Sequence, residues 1–355
     1  MENLKKFWKK KRVLITGHTG FKGSWLCIIL NFLNSKIYGY SLAPEKNSLF
    51  NKSKIKKFIS ANKYGDINKI EKLKKFIKKT KPEIVFHLAA QPLVIDSYKN
   101  PLETFTTNIL GTANLMEVIK ETKSVKSVVI ITTDKVYKIN KKQKEYSENN
   151  ELGGIDPYST SKVCAEEIVN SYIKSFFYKS KLKSKISTAR AGNVIGGGDF
   201  SKNRLVPDII KAINNKKKLI IRNPYQVRPW QHVLEPLIGY LLLAEKQYYG
   251  KIKVLDNCWN FGPQKKGSKK VIEIVNYIKT IIKFDYKIKA NNNIKETEIL
   301  KLDSLKAKKI LGWFAKWTVN DALNKTIEWN NLVKKGVSPK NICEDQLISY
   351  LNKKN

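Results

Sequence analysis

Lys11-Arg-Val-Leu-Ile-Thr-Gly-His-Thr-Gly-Phe-Lys-Gly23 is the stretch from which the rest of the 355-residue sequence is read. Val13 to Ile15 are apolar and partly β-branched, which predicts a short buried strand. Gly17, Gly20 and Gly23 follow at three-residue spacing, and an apolar pattern through Trp25, Leu26, Ile29 and Leu30 then predicts a helix. Strand, glycine turn and helix in that order build a dinucleotide-phosphate site. The first glycine permits the tight turn. The second lets backbone approach a pyrophosphate, and the third lets the helix pack close to the strand. The helix start adds unpaired N–H groups and a partial positive charge. The expected fold is a Rossmann-type doubly wound parallel sheet, with a smaller C-terminal α/β lobe to hold a substrate.

The length suits two domains. The expected division is 1–192 for the dinucleotide domain and 193–355 for the second lobe, with 223–262 a candidate to return to the first. The longest apolar run, Leu237 to Ala244, falls well short of the ~20 residues that span a bilayer. The start, Met1-Glu-Asn-Leu-Lys-Lys-Phe-Trp, lacks the apolar core of a signal peptide. Cys27, Cys164, Cys258 and Cys343 form no CxxC pair, so reduced structural thiols and a cytoplasmic location are expected. No cluster with metal-ligand spacing is found. The net charge of +38 raises the possibility of nucleic acid or membrane as a partner. Yet the lysines are dispersed, arginine is scarce, and abundant asparagine and isoleucine point to a general residue bias. Neither partner is expected. The basic run Lys5 to Arg12, interrupted by Phe7 and Trp8, reads as a solvated entry segment with two packing aromatics.

A second strand, Lys36 to Tyr40, should be followed by an acidic residue that bonds a ribose. Ser41-Leu-Ala-Pro-Glu45 stands there instead, leaving Ser41 as a weaker ribose partner. No arginine is placed for a 2′-phosphate, which favours NAD over NADP. Ser60 to Tyr64 reads as a third strand. Asp66 beyond it either reaches an adenine edge or caps a helix from Asn68 to Lys79. Glu83 to Leu88 is a buried strand; its small-residue end, Ala89-Ala90, lets backbone lie close to a flat ligand. His87 within it reads as a satisfied core histidine. Residues 101–121 have helical spacing. Val128 to Thr133 is another buried strand, with Asp134 and Lys135 at its carboxyl end, where ligands bind in open α/β sheets.

Asp156-Pro157-Tyr158 opens a helix running to about Phe177, with Asp156 as its cap. Tyr158 and Lys162 lie four apart on one face. An ammonium beside a phenol lowers the phenol pKa, which would make Tyr158 a general base. Ile186 to Asn193 is a strand ending in a glycine loop. Arg204, Arg222 and Arg228 stand out where arginine is rare, and suit phosphate. Leu302 to Trp317 reads as a helix and hydrophobic cap closing the small lobe. Thr318 caps a further helix, and the tail after Pro339 is uninformative.

Thr16-Gly-His-Thr-Gly-Phe-Lys-Gly23, Thr132-Thr-Asp-Lys135, Tyr158-x-x-x-Lys162 and the strand end at Asn193 resemble the extended short-chain dehydrogenase/reductases, the NAD-dependent epimerase/dehydratase group. His18, His87-Leu-Ala-Ala-Gln-Pro-Leu93, Ala189 to Asp199, Arg204-Leu-Val-Pro-Asp208, Arg228 to Pro236 and Glu298 to Trp313 narrow the resemblance to CDP-glucose 4,6-dehydratases. The resemblance implies an NAD-linked loss of water from a nucleotide sugar. It implies NAD contacts from Gly17, His18, Thr19, Gly20, Phe21, Lys22, Gly23, Ser41, Asp66, Ile67, Leu88, Ala89, Ala90, Thr132, Tyr158 and Lys162. Gln91, Asn193, Arg204, Arg228 and His232 would hold CDP-glucose. Thr133, Asp134, Lys135, Tyr158 and Lys162 would be catalytic. The related deoxythymidine-diphosphate-glucose enzymes carry glutamate, the C5 base, where Lys135 stands. A lysine can replace it only as a neutral amine; the alternative is that Lys135 contacts the cofactor. A homodimer or dimer of dimers through the 101–121 and 157–177 helices is implied as well. An epimerase or simple dehydrogenase would share Tyr158 and Lys162 but would need no acid such as Asp134.

Overall fold

The computed structural model describes residues 2–353 apart from 141, 144, 179–183, 265–266 and 290–300. Six strands come first: β1 (Arg12–Thr16), β2 (Lys36–Ser41), β3 (Ala61–Tyr64), β4 (Ile84–His87), β5 (Ser127–Ile131) and β6 (Lys185–Ala191). β7 (Asn193–Ile195), β8 (Leu219–Ile221) and β9 (Val227–His232) form part of a second lobe. β10 (Cys258–Phe261) then pairs with β6 in the first sheet, and β11 (Ser268–Lys270) and β12 (Tyr286–Ile288) complete the lobe. The large sheet has seven parallel strands in the order β10-β6-β5-β4-β1-β2-β3. The order reverses at β1, the switch point where a crevice opens beyond the carboxyl ends.

The central strands β1, β4 and β5 are nearly continuous apolar runs because the sheet is covered on both faces. Val13 and Ile15 of β1 enter one core with the helices Phe21–Phe32, Leu234–Tyr248 and Pro339–Asn352. Leu14 between them enters the other, with Ile70–Thr80, Gly111–Lys120 and Pro157–Tyr172. The smaller lobe joins β7, β9 and β11 in a mixed sheet and β8 and β12 in a parallel pair. Helices Leu205–Asn214, Val271–Ile281 and Val319–Lys334 surround its own apolar cluster.

Three readings change here. The entry segment is a helix, Glu2–Trp8, with Phe7 and Trp8 in the main core. Between Leu302 and Trp317 the chain is helical only over 305–311, where Gly312 at φ +70° stops it. Leu311, Trp313 and Trp317 pack in the large-sheet core instead of closing the small lobe, and Trp313 Nε1 donates to the Glu235 carbonyl at 2.9 Å. The Leu234–Tyr248 helix brings Leu234, Leu237, Ile238 and Leu241 into the core that these residues join. The tail forms the Pro339–Asn352 helix against Phe21–Phe32. Residues 298–300 of the family-like stretch lie outside the described residues.

Candidate active site

A cleft of about 1240 Å³ opens over the carboxyl ends of β1, β2, β4 and β5 and runs into the second lobe. The glycine turn forms its floor. Gly17 has φ +73°, and a Cβ there would lie 2.6 Å from the Ala89 nitrogen. A Cβ on Gly23 would stand 2.2 Å from the Gly17 carbonyl oxygen, so this glycine sets the close helix–strand approach. At Gly20 a Cβ would meet only the Gly17 oxygen at 3.4 Å, leaving its cleft side open. The helix begins directly afterwards at Phe21. This cradle of backbone N–H groups fits the pyrophosphate of NAD. Thr19, Phe21, Lys22, Asp66, Ile67, Leu88, Ala89, Ala90 and Thr132 line the same cleft. Ser41 lines it where an acid usually stands, 2.7 Å from the Thr19 hydroxyl. Asp66 accepts from the Asn68 nitrogen at 2.9 Å, a turn ahead of the helix and not its cap, which begins at Lys69.

Three expected contacts do not reach the cleft. His18 is fully buried beneath β2; its Nε2 lies 2.6 Å from Asn62 Oδ1, and a Cβ on Gly39 would strike its ring. Burial lowers its pKa to about 4, so the ring is neutral and structural. His232 is equally buried, edge-on between Trp25 and Trp317, with Nδ1 accepting from the Leu234 nitrogen. Gln91 turns its amide to the Leu93 carbonyl and the Thr104 hydroxyl. His87, the remaining histidine of three, is a core residue bonded to the Thr16 hydroxyl at 2.7 Å.

The reactive groups gather at the end of β5. Thr133 caps the short turn after that strand and donates to Asp134 Oδ1 at 3.0 Å. Asp156 and Ser159 form a reciprocal capping box that fixes the start of the Pro157–Tyr172 helix. That helix delivers Tyr158 and Lys162 into the cleft. Burial raises Asp134 above the usual carboxylate range, opposed by Lys135, Thr133, Arg228 and Lys22. Burial also pushes Tyr158 up to about 12, opposed by Thr133 and Arg204. The expected lowering by Lys162 does not occur within the protein alone. The Lys162 ammonium donates to the Ile131 carbonyl at 3.2 Å, and burial lowers its pKa to about 8. Lys22 falls to about 7, through burial and then the charges of Arg204 and Lys162. Lys135, Asn193, Arg204 and Arg228 also line the cleft; Arg204 pairs with Asp199 at 3.2 Å.

Two supports hold these groups; the first was not found from sequence, whereas Asn108 reads there as a helix-packing amide. Glu166, one turn beyond Lys162, accepts from the Thr132 hydroxyl at 2.6 Å and from Arg190 Nε at 2.9 Å. Arg190 Nη1 donates to the Tyr137 hydroxyl, which donates to Asn260 Oδ1. An arginine inside an apolar strand needs a buried partner, which was the available signal. Asn108 accepts from the Gln91 nitrogen at 2.8 Å and donates to the Ser161 hydroxyl at 2.8 Å. It thereby ties the β4 end to the Tyr158 helix.

The family model described as GDP-mannose 4,6 dehydratase matches residues 14–326. CDP-glucose 4,6-dehydratase of Salmonella typhimurium is 43% identical over 350 residues, covering 97% of this chain and 95% of that protein. The human dTDP-D-glucose 4,6-dehydratase is 27% identical, covering 90% of this chain and 89% of its own. Among solved structures, dTDP-glucose 4,6-dehydratase from Bacillus anthracis in complex with NAD has a TM-score of 0.77 at 23% identity, over 93% of this chain and 99% of that one. That last likeness supports the fold.

Proposed function

The chain belongs to the GDP-mannose 4,6 dehydratase family, and from that premise we propose that it converts CDP-D-glucose to CDP-4-dehydro-6-deoxy-D-glucose and water. It is a hydro-lyase. The observation that carries this reading is the buried acid Asp134 beside Thr133 and Tyr158, a group that an epimerase does not need. The relative that is 43% identical supports the choice of nucleotide sugar.

When bound, NAD would supply an acceptor for the hydride from C4 and its donor to C6. The glycine turn would hold its pyrophosphate, Ser41 with Thr19 would bond its ribose, and Lys162 would hold the nicotinamide ribose. Tyr158 takes the proton of the C4 hydroxyl while Thr133 steadies the same oxygen. The C4 ketone acidifies C5–H; Lys135, which lines the cleft, is the candidate to take that proton, with a contact to the cofactor as its alternative role. Asp134, whose carboxyl burial raises above its ordinary range, donates to the C6 hydroxyl, so that water leaves across C5 and C6. Proton return to C5 completes the sugar. Asn193, Arg204 and Arg228 hold the diphosphate.

Among the described residues no helix is long and apolar enough to cross a membrane. We place the enzyme in the cytoplasm, as a homodimer or dimer of dimers, supplying a deoxysugar for cell-surface polysaccharide such as the lipopolysaccharide O-antigen. Leu102, 80% exposed, and Leu110 lie on the segment expected to pair.

The test incubates the protein with CDP-glucose, UDP-glucose or dTDP-glucose, with and without added NAD. The expected product has the mass of CDP-glucose less one water. No dehydration of CDP-glucose, or faster dehydration of UDP-glucose, would overturn the reading. A need for added NAD is expected from the weak ribose partner at Ser41.

A further inference from the structure

Most of the charge around the reacting groups is positive: Lys22, Lys162, Arg204 and Arg228 all line the cleft. This suits a diphosphate but says nothing about the base attached to it. The wall continues past Arg204 along the Leu205–Asn214 helix. One turn on, the Asp208 nitrogen donates to the Arg204 carbonyl, and Asp208 lines the cleft. β8 and Arg222 line the same part of the wall. Arg222 Nη2 donates to Asn203 Oδ1 at 2.9 Å, and the Arg222 charge acts on the Asp208 carboxyl. Asn203, held at φ +60°, thus anchors the guanidinium whose charge acts on Asp208, and both groups line the same stretch of cleft. Pro207 and Ile220 supply apolar surface next to them, Ile220 with 60% exposure.

Arg204 acts electrostatically on Tyr158 and on Lys22, so it marks the reacting end of the wall. A ligand whose sugar lies at Tyr158 and whose diphosphate lies at Arg204 carries its base onward, toward Asp208 and Arg222. We propose that Asp208 and Arg222 read the edge of the cytosine ring, Asp208 accepting from its exocyclic amino group and Arg222 donating to ring N3. Uracil and thymine present the opposite pattern, a carbonyl at C4 and an N–H at N3. Each would then face a group of its own polarity. A donor and an acceptor matched to one ring edge reject the opposite pattern more strongly than an apolar pocket does. Burial holds the Asp208 carboxyl above its ordinary range, opposed by Arg222 and Lys211, and an amino donor offsets that burial. This inference deepens the CDP-glucose reading and rests on it.

The experiment measures kcat/KM for CDP-glucose and UDP-glucose in wild type, Asp208→Asn and Arg222→Gln, with thermal midpoints as the check on folding. In each variant the ratio of CDP-glucose to UDP-glucose is expected to fall about tenfold or more, mainly through KM. A variant that loses both activities equally, with the ratio unchanged, would overturn the assignment. Wild type that prefers CDP-glucose while both variants keep the ratio overturns this inference alone. Wild type that prefers UDP-glucose overturns the parent reading with it. Should a variant lose its thermal transition, Asp208→Glu and Arg222→Lys give the same ratio test.

Discussion

Two sets of buried charges sit one helical turn apart on the Pro157–Tyr172 helix, and they differ in how they are answered. Glu166 faces Arg190, Thr132 and, through the guanidinium, Tyr137, so each charge has a matched partner. Around Lys162 the matching is incomplete. Lys162 falls to about 8, Lys22 falls to about 7, Tyr158 rises to about 12 and Asp134 rises above the carboxylate range, each chiefly by burial. The lesson is that burial alone does not mark reactive residues. A compensated pair builds a platform, whereas uncompensated groups are driven toward their neutral forms and can then exchange protons with a ligand.

The strongest way to break this contrast is Arg190→Met. It leaves the Glu166 carboxylate buried without its cation, and should cost about 3–5 kcal/mol of unfolding free energy in a urea titration. A loss below about 1 kcal/mol would mean that the pair is not the support described here. Tyr158→Phe should behave in the opposite way. Turnover should drop about a thousandfold while the urea midpoint stays close to wild type. An equal loss of stability in both variants would erase the distinction.

A third buried acid sharpens it. Glu235 accepts from the Tyr350 hydroxyl and from the Lys316 and Trp317 nitrogens, and the Lys316 charge acts on it, but among the described residues no ion pair is formed with it. Burial raises its pKa from 4.5 to about 7, against those hydrogen bonds. The folded state therefore holds this proton more tightly than the unfolded chain does. The resulting stability is fully present below about pH 4.5 and is lost as pH rises through about 7. Wild type should lose roughly 3 kcal/mol over that window relative to Glu235→Gln. Parallel stability–pH curves for the two proteins would refute the assignment.

What could be read from sequence was what local chemistry specifies. The Gly17–Gly23 turn, the Asp156 cap and the Tyr158–Lys162 spacing each need only a few neighbouring residues, and each has the expected backbone form. The failures involve partners distant along the chain. His18 is committed by Gly39 and Asn62, and His232 by Trp25 and Trp317. Trp313 and Trp317 look the same in sequence whichever core they join. Only the position of the Leu234–Tyr248 helix decides it.

The order of the large sheet has a consequence for synthesis on the ribosome. β1 ends at residue 16, but the strand that covers the outer edge of β6 begins at Cys258. Between those points a nascent chain would carry β6 as an apolar strand with one open edge, while the second lobe is still being made. Slow translation across residues 192–257 would prolong that exposure, and a chaperone acting there would protect a half-finished sheet.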